Sequence, residues 1–238
     1  MWLLSDKVTI AESGILEGMT DWHCHLIPNV DDGVEDQEEA KAILHLWEEA
    51  GVSEVWLTPH IMEDIPNKVE DLRESFSVMS QYYHGSIHLN LAAEHMMDNL
   101  LLTCIDSNKL IPIGHDGNTL LVETSYFNPP MDMSGIVEKI CSIGLRPMLA
   151  HPERYIYMDS DDYNKWKDKG LLFQLNLPSL TRAYGPEVQK KAEYLLGKGL
   201  YDRTGTDTHS LHFAQSFLRS KLRKKTVRQI KDLIRTNP

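Results

Sequence analysis

The stretch Asp21-Trp22-His23-Cys24-His25, at the end of an apolar run, decides how the chain is read. In an extended strand successive side chains point to opposite faces, so Asp21, His23 and His25 are expected on one face and Trp22, Cys24 and Leu26 on the other. Two imidazoles about 7 Å apart along one face can converge on one metal ion or on a close pair of ions. Two surface histidines that happen to alternate would look the same locally, so the surrounding chain has to decide.

Working outward, the pattern alternates between strand and helix. Met19 to Leu26 reads as the first strand, and Pro28 to Gly33 as a turn. Glu35 to Ala50 carries Ala40, Ile43, Leu44 and Trp47 at helical spacing, with Gly51 as its stop. Further strands are expected at 52–57, 87–92, 120–122, 146–150, 171–175 and 200–204. Helices are expected at 67–83, 133–143, 160–169, 186–196, 211–220 and 226–235, with Gly144, Gly170 and Gly197 as stops, and 96–106 as a short helix or connection. About seven β-then-α units at this spacing predict a parallel sheet covered by helices. The 238 residues suit one α/β barrel. The chain has no GxGxxG after the first strand and no GxxxxGK[ST], which removes the usual nucleotide reasons for an open doubly wound sheet. Residues 1–18 show no clear period and read as an N-terminal extension, with 19–238 as a single domain.

Composition narrows the function classes. A net charge of −11 disfavours nucleic acid as the main partner. No run of 18 apolar residues exists and the first seven residues are too short for a secretory signal, so no membrane insertion is expected. Cys24, Cys104 and Cys141 are odd in number and far apart, which fits a reducing cytoplasm and not a disulfide framework. All three read as structural, with Cys24 turned away from the histidines. Cys141 and Arg146 have Cys-x4-Arg spacing, one residue short of a cysteine phosphatase loop. The C-terminal segment reverses the charge, with Arg219, Lys221, Arg223, Lys224, Lys225, Arg228, Lys231 and Arg235. It reads as a solvated basic helix, the alternative being an electrostatic dock for an acidic partner.

The polar residues that fall just past the expected strands are His23 and His25, His60, Glu94, Glu123, His151, and Asp207 with His209. Each alone could be an ordinary loop residue. Together, after six of the expected strands, they are expected to meet at the C-terminal face of a barrel, where barrel active sites lie. Imidazoles and carboxylates without thiolates fit manganese, iron or zinc, and disfavour calcium.

The order of these motifs makes a resemblance specific. HxH is followed by Asp31-Asp32-Gly33, Thr58-Pro59-His60, a lone Glu94, Val122-Glu123, Ala150-His151-Pro152-Glu153-Arg154-Tyr155 and Thr206-Asp207-Thr208-His209. The set resembles the PHP (polymerase and histidinol phosphatase) superfamily. Within it, the chain is similar to the CpsB/CapC tyrosine-protein phosphatases of capsule and exopolysaccharide operons. The resemblance implies a distorted TIM-like (β/α)7 barrel with three divalent metal ions, usually manganese or iron. Carried over, His23, His25, Glu94 and Asp207 would hold one ion. Glu94, Glu123 and His151 would hold a second, and Asp32, His60 and His209 a third.

The implied activity is hydrolysis of phosphotyrosine on a protein, the implied partner being the tail of a tyrosine autokinase that regulates capsular polysaccharide synthesis. A small-molecule phosphoesterase of histidinol-phosphatase type, a metal-dependent amidohydrolase and a non-catalytic regulatory barrel are the alternatives. Arg154 is the candidate phosphate clamp, or else the salt-bridge partner of Glu153 or a neighbouring carboxylate. His209 or Asp207 is the candidate proton donor to the leaving group. Tyr126 and Tyr155 either line a phenyl cleft or pack in the core, and Trp22, Trp47, Trp56 and Trp166 read as packing residues. The sequence departs from the family at Ile61-Met62, where relatives often carry an arginine pair, and at Ser210-Leu211-His212, where a phosphate-holding arginine is absent.

Overall fold

The computed structural model describes residues 6–236. Strand β1 (Lys7–Thr9) and one helical turn, α1 (Ile10–Ser13), precede the alternating units. These units begin with β2 (Thr20–Cys24), α2 (Gln37–Glu49), β3 (Glu54–Leu57), β4 (His60–Ile61) and α3 (Val69–Tyr82). They continue with β5 (His88–Leu91), β6 (Glu94–Met96), α4 (Asn99–Asp106), β7 (Thr119–Glu123) and α5 (Met133–Ser142). Then come β8 (Arg146–Ala150), α6 (Ser160–Asp168), β9 (Leu172–Asn176), α7 (Pro186–Lys198) and β10 (Arg203–Gly205). The last elements are α8 (Leu211–Arg219), β11 (Lys221–Arg223) and α9 (Lys224–Thr236). Aspartates start several helices: Asp36, Asp98, Asp132 and Asp159 each accept a backbone N–H of the first turn, and Ser210 does so for α8.

All pairings from β2 to β10 are parallel. β3 and β4 are two parts of one stave, bent at Thr58-Pro59, and β5 and β6 are two parts of the next, bent at Ala92-Ala93. β2 and the lower halves of these two staves form one sheet; the upper halves continue through β7, β8 and β9 to β10. The ends meet where Cys24 bridges Thr208 in parallel, His25 N–H donates to the Thr208 carbonyl at 2.9 Å and Asp207 N–H to the His23 carbonyl at 2.7 Å. Seven staves therefore curl into a distorted barrel. His60 and Glu94, expected just beyond their strands, each open the second part of a bent stave instead.

Alternation along the strands divides the core into two layers. Leu120, Val122, Leu149, Phe173 and Leu175 face outward into the large core beneath the helices. Leu121, Met148, Ala150 and Leu172 face inward with Trp22 and Trp56, whose rings stack at 5.8 Å and floor the barrel. Further along the same inner faces come Glu123, Gln174 and Asn176, all buried.

The alternation expected for Asp21 to His25 is broken. Asp21 pairs with Val55 and Cys24 with Leu57, so two residues of β2 lie opposite Trp56 alone, a bulge. Trp22 and His23 thus both face inward, while Asp21 and Cys24 face the outer side with Val55 and Leu57. Asp21 leaves the histidine face and instead accepts the Thr206 N–H at 2.8 Å and its hydroxyl at 2.6 Å, tying the first stave to the chain after the last. Two smaller expectations also change. α7 runs past Gly197 and ends at Gly199, and Cys141 lies exposed on α5 where a packing role was expected. Cys24 and Cys104 are buried.

Residues 1–5 of the expected extension, and Asn237 and Pro238, lie outside the described residues. Residues 6–18 pack on the barrel: β1 pairs antiparallel with β11, and Ile10, Ile15 and Leu16 enter the large core. Leu16→Ala is accordingly expected to cost about 2–5 kcal/mol in urea unfolding; a change within about 0.5 kcal/mol, as for a surface position, would make the segment peripheral.

Candidate metal centre

The nine candidate ligands converge at the C-terminal ends of the staves. Glu94 is at the middle. Its Oε2 lies 3.2 Å from His23 Nε2, 3.5 Å from His25 Nε2 and 3.2 Å from His60 Nδ1, and its Oε1 lies 3.2 Å from His151 Nε2. Glu123 Oε1 is 3.2 Å from His60 Nδ1. Asp32 Oδ1 lies 3.4 Å from both His60 Nε2 and His209 Nε2. Asp207 Oδ1 lies 3.6 Å from the Nε2 atoms of His23 and His25 and 3.5 Å from His209 Nδ1.

Neighbouring groups fix these rings. His23 Nδ1 is 3.0 Å from Gln174 Oε1, and His25 Nδ1 is 2.8 Å from Asp31 Oδ2, so both turn Nε2 into the cluster. Asp31 also accepts the backbone N–H groups of Gly33 and His60 at 3.0 Å, fixing the loop that carries Asp32. His151 and Asp207 hold left-handed backbone, φ 35° and 52°, a strained state for these residues that the surrounding packing maintains. Gly33 and Gly205 are set by close approach. A Cβ at Gly33 would strike the His25 carbonyl and lie 2.7 Å from its Cβ; one at Gly205 would lie 2.6 Å from His23 Cβ.

Charge is concentrated here. Burial disfavours the imidazolium of His60, yet Asp32 and Glu123 raise its pKa to about 11; burial is likewise outweighed at His23, where Glu94 and Asp207 raise it to about 9. Burial pushes Glu94 up, but His23 and the other imidazoles hold it well below the carboxylate range. Glu123 rises to about 7 through burial and repulsion from Glu94. Burial and Arg154 depress His151 to about 4. The cluster is thus a place where positive charge is strongly favoured.

Both Glu94 oxygens, Glu123 Oε1 and His60 Nδ1 are buried without a hydrogen-bond partner. Left so, such groups are costly, and a cation would satisfy them. Four groups of donors lie mutually within 4.8 Å: His25, Asp32, His60 and His209; His23, His25 and Asp207; His23, Glu94 and His151; and His60, Glu94 and Glu123. The residues present therefore fit divalent metal ions, with an imidazole and carboxylate set suited to manganese, iron or zinc.

Beside the cluster is a cleft of about 370 Å³ lined by Asp32, His60, His151, Arg154, Asp207 and His209, with Tyr126, Tyr184 and Phe213 as aromatic walls. Arg154 Nη1 donates to Asp207 Oδ2 at 2.6 Å, and its guanidinium lies between the Tyr126 and Tyr184 rings, 4.4 and 4.3 Å from their centroids. Glu153 is not its partner; that carboxylate is buried and accepts the Tyr201 hydroxyl at 2.9 Å and the Asn176 N–H at 3.1 Å. Tyr155 is fully buried, its hydroxyl on the Ala150 carbonyl, so of the two tyrosines considered from sequence only Tyr126 lines the cleft. Sequence reasoning missed Asp31, Gln174, Tyr184 and Phe213. The Asp31-Asp32 doublet and the inward register of Gln174 carried a signal for the first two; nothing local marked the aromatics.

A parallel barrel with its polar cluster at the strand C-termini places this chain among TIM-like barrels that build their sites there. The chain belongs to the family described as capsular polysaccharide synthesis, CpsB/CapC, whose model matches residues 19–237. Tyrosine-protein phosphatase CpsB of Streptococcus pneumoniae is 25% identical over 81% of this chain and 84% of its own. The CpsB of Streptococcus agalactiae serotype V is 23% identical over 84% and 86%. A solved structure from work on YwqE of Bacillus subtilis and CpsB of Streptococcus pneumoniae, metal-dependent tyrosine phosphatases, shares the fold with a TM-score of 0.75 at 19% identity, covering 92% of this chain and 95% of that one.

Glu94 enters two donor groups and Asp32 one. After loading with manganese and gel filtration, Glu94→Gln is expected to retain fewer ions per chain than Asp32→Asn by elemental analysis; equal contents would contradict the central place of Glu94.

Proposed function

We propose that this chain is a metal-dependent protein-tyrosine phosphatase. The observation that carries the reading is the guanidinium of Arg154, held by Asp207 and flanked by two tyrosine rings at the mouth of the carboxylate and imidazole cluster. The names of the curated relatives support the same activity. His23, His25, Glu94 and Asp207 would hold one ion, Glu94, Glu123 and His151 a second, and Asp32, His60 and His209 a third, with manganese the leading candidate. Bound divalent ions supply positive charge for phosphate oxygens and lower the pKa of bound water.

The chain's own groups do the rest. Arg154 offers planar N–H donors matched to phosphoryl oxygens. One is engaged by Asp207 and fixes the plane, so the others point with little loss of side-chain freedom. Its position offsets the lack of arginines after His60 and His209. Tyr126, Tyr184 and Phe213 form a wall that suits a phenyl ring. Asp207 has Oδ2 engaged by Arg154 and by Asn176 Nδ2 at 3.0 Å, and burial is outweighed by His23 and His209 so that its pKa falls to about 2. We assign it to anchoring and metal holding in place of proton donation. A tyrosine phenolate, with a pKa near 10, needs less acid assistance on leaving than an alkoxide.

The substrate would be a tyrosine-phosphorylated protein such as the tail of an autokinase controlling capsule synthesis. The free thiols, including exposed Cys141, support a reducing cytoplasm. No helix among the described residues is long and apolar enough to cross a membrane.

Metal-stripped protein should be inactive and regain turnover of a phosphotyrosine peptide with manganese, well above its rate on histidinol phosphate. Preference for the small molecule would replace the substrate, and activity without metal would overturn the reading. Arg154→Ala should lower kcat/KM on the peptide about 10²-fold or more at unchanged metal content; full activity would remove Arg154 from the phosphate site.

A further inference from the structure

A basic groove lies next to the cleft. β1 and β11 form a two-stranded ribbon in which Lys7 is paired with Arg223 and Thr9 with Lys221. Residues two apart on a strand share a face, so Lys221 and Arg223 project together while Leu222 between them is buried. Lys7 sits across from Arg223 on that same outer face. Arg182 joins them from the loop after the 3-10 turn Leu177–Thr181, held in left-handed backbone at φ 70°. The four cations line a hollow of about 370 Å³ in which Glu193 is the one carboxylate, itself accepting Gln189 Nε2 at 3.2 Å. Among the described residues, Arg182, Lys221 and Arg223 form no ion pair. In a chain of net charge −11 this is a local reversal of sign.

The groove neighbours the cleft through lining residues of a third hollow. A smaller hollow of about 180 Å³ shares Thr181 and Arg182 with the groove and Phe213 with the cleft. The same short loop carries Arg182 in the groove and Tyr184 against Arg154. A bound chain with its phosphotyrosine beside Arg154 can therefore run past Phe213 and lay its next residues on the cations.

We infer that Arg182, Lys221 and Arg223 form a docking groove for an acidic segment, carboxylate-rich or carrying further phosphotyrosines, that adjoins the phosphotyrosine being hydrolysed in the same polypeptide. This rests on the phosphatase reading and adds a substrate preference to it. An anionic membrane surface is the less favoured occupant, since it would not use the nearness of the groove to the cleft.

The test compares two phosphotyrosine peptides, one flanked on both sides by glutamates and one by glutamines, together with p-nitrophenyl phosphate. The enzymes are the manganese-loaded wild type and the triple variant Arg182→Gln, Lys221→Gln, Arg223→Gln. The wild type should show a KM about tenfold lower for the acidic peptide, a preference that fades with added salt. The triple variant should treat both peptides alike, with kcat and p-nitrophenyl phosphate turnover unchanged, the latter also reporting that it folds. Equal KM values in the wild type, or a preference that survives in the variant, would overturn the proposal. If no substrate is turned over, the phosphatase reading fails separately, and fluorescence anisotropy with the labelled acidic peptide decides the groove. About tenfold weaker binding by the variant supports it, and equal binding overturns it. Sedimentation with phosphatidylglycerol vesicles, abolished in the triple variant and unaccompanied by any peptide preference, would assign the groove to a membrane instead.

Discussion

One buried carboxylate sets the terms for this molecule. Glu94 has no exposure to solvent and no hydrogen-bond donor satisfying either oxygen, yet four imidazole nitrogens lie 3.2–3.5 Å away. An isolated buried carboxylate would take up a proton. Here His23, His25 and His151 hold Glu94 ionised against its burial, while the nearby Glu123 repels it. Protons on histidines can supply that compensation, and divalent cations supply it better, because each ion accepts lone pairs from several donors at once.

The scaffold can be understood as what keeps these groups from relaxing apart. The bulge in β2 turns both Trp22 and His23 inward, so that one stave gives a packing residue to the floor and a donor to the top. Breaks at Thr58-Pro59 and Ala92-Ala93 pass β3 and β5 of one sheet into β4 and β6 of the other, which His60 and Glu94 open side by side. Gly33 and Gly205 let backbone lie against His25 and His23, and left-handed backbone at His151 and Asp207 aims their side chains across the barrel. Local strain and close approach are concentrated at the site, while the outer shell of Leu, Ile, Val and aromatic packing supplies the stability that tolerates them.

Much of this was legible in the sequence because a barrel converts chain order into geometry. A His, Asp or Glu recurring at strand ends must converge if the strands close, so eight of the nine candidate ligands could be read from chain order, while Asp32 and the closed barrel came with the family resemblance. Departures from regular periodicity were not legible. The face of Asp21 was misjudged because a bulge depends on the partner strand, Trp56 having two residues opposite it. The split of two staves was missed because bends at Thr58-Pro59 and Ala92-Ala93 leave the hydrophobic pattern nearly intact. Tyr184 and Phe213 come from a loop and a helix whose orientation is decided by packing between α7, α8 and the barrel. No property of the local sequence distinguishes them from other aromatics.

The claim on which the rest depends is that the cluster around Glu94 is a cage for divalent cations, and equilibrium unfolding tests it most directly. The chelator-treated chain would be unfolded in urea with and without manganese. Ligand binding to the native state alone contributes about 2.7 kcal/mol per site at a hundredfold excess over Kd. Manganese is therefore expected to move the midpoint of the wild type well upward and that of Glu94→Gln much less. An identical wild-type midpoint with and without the ion would contradict the cage.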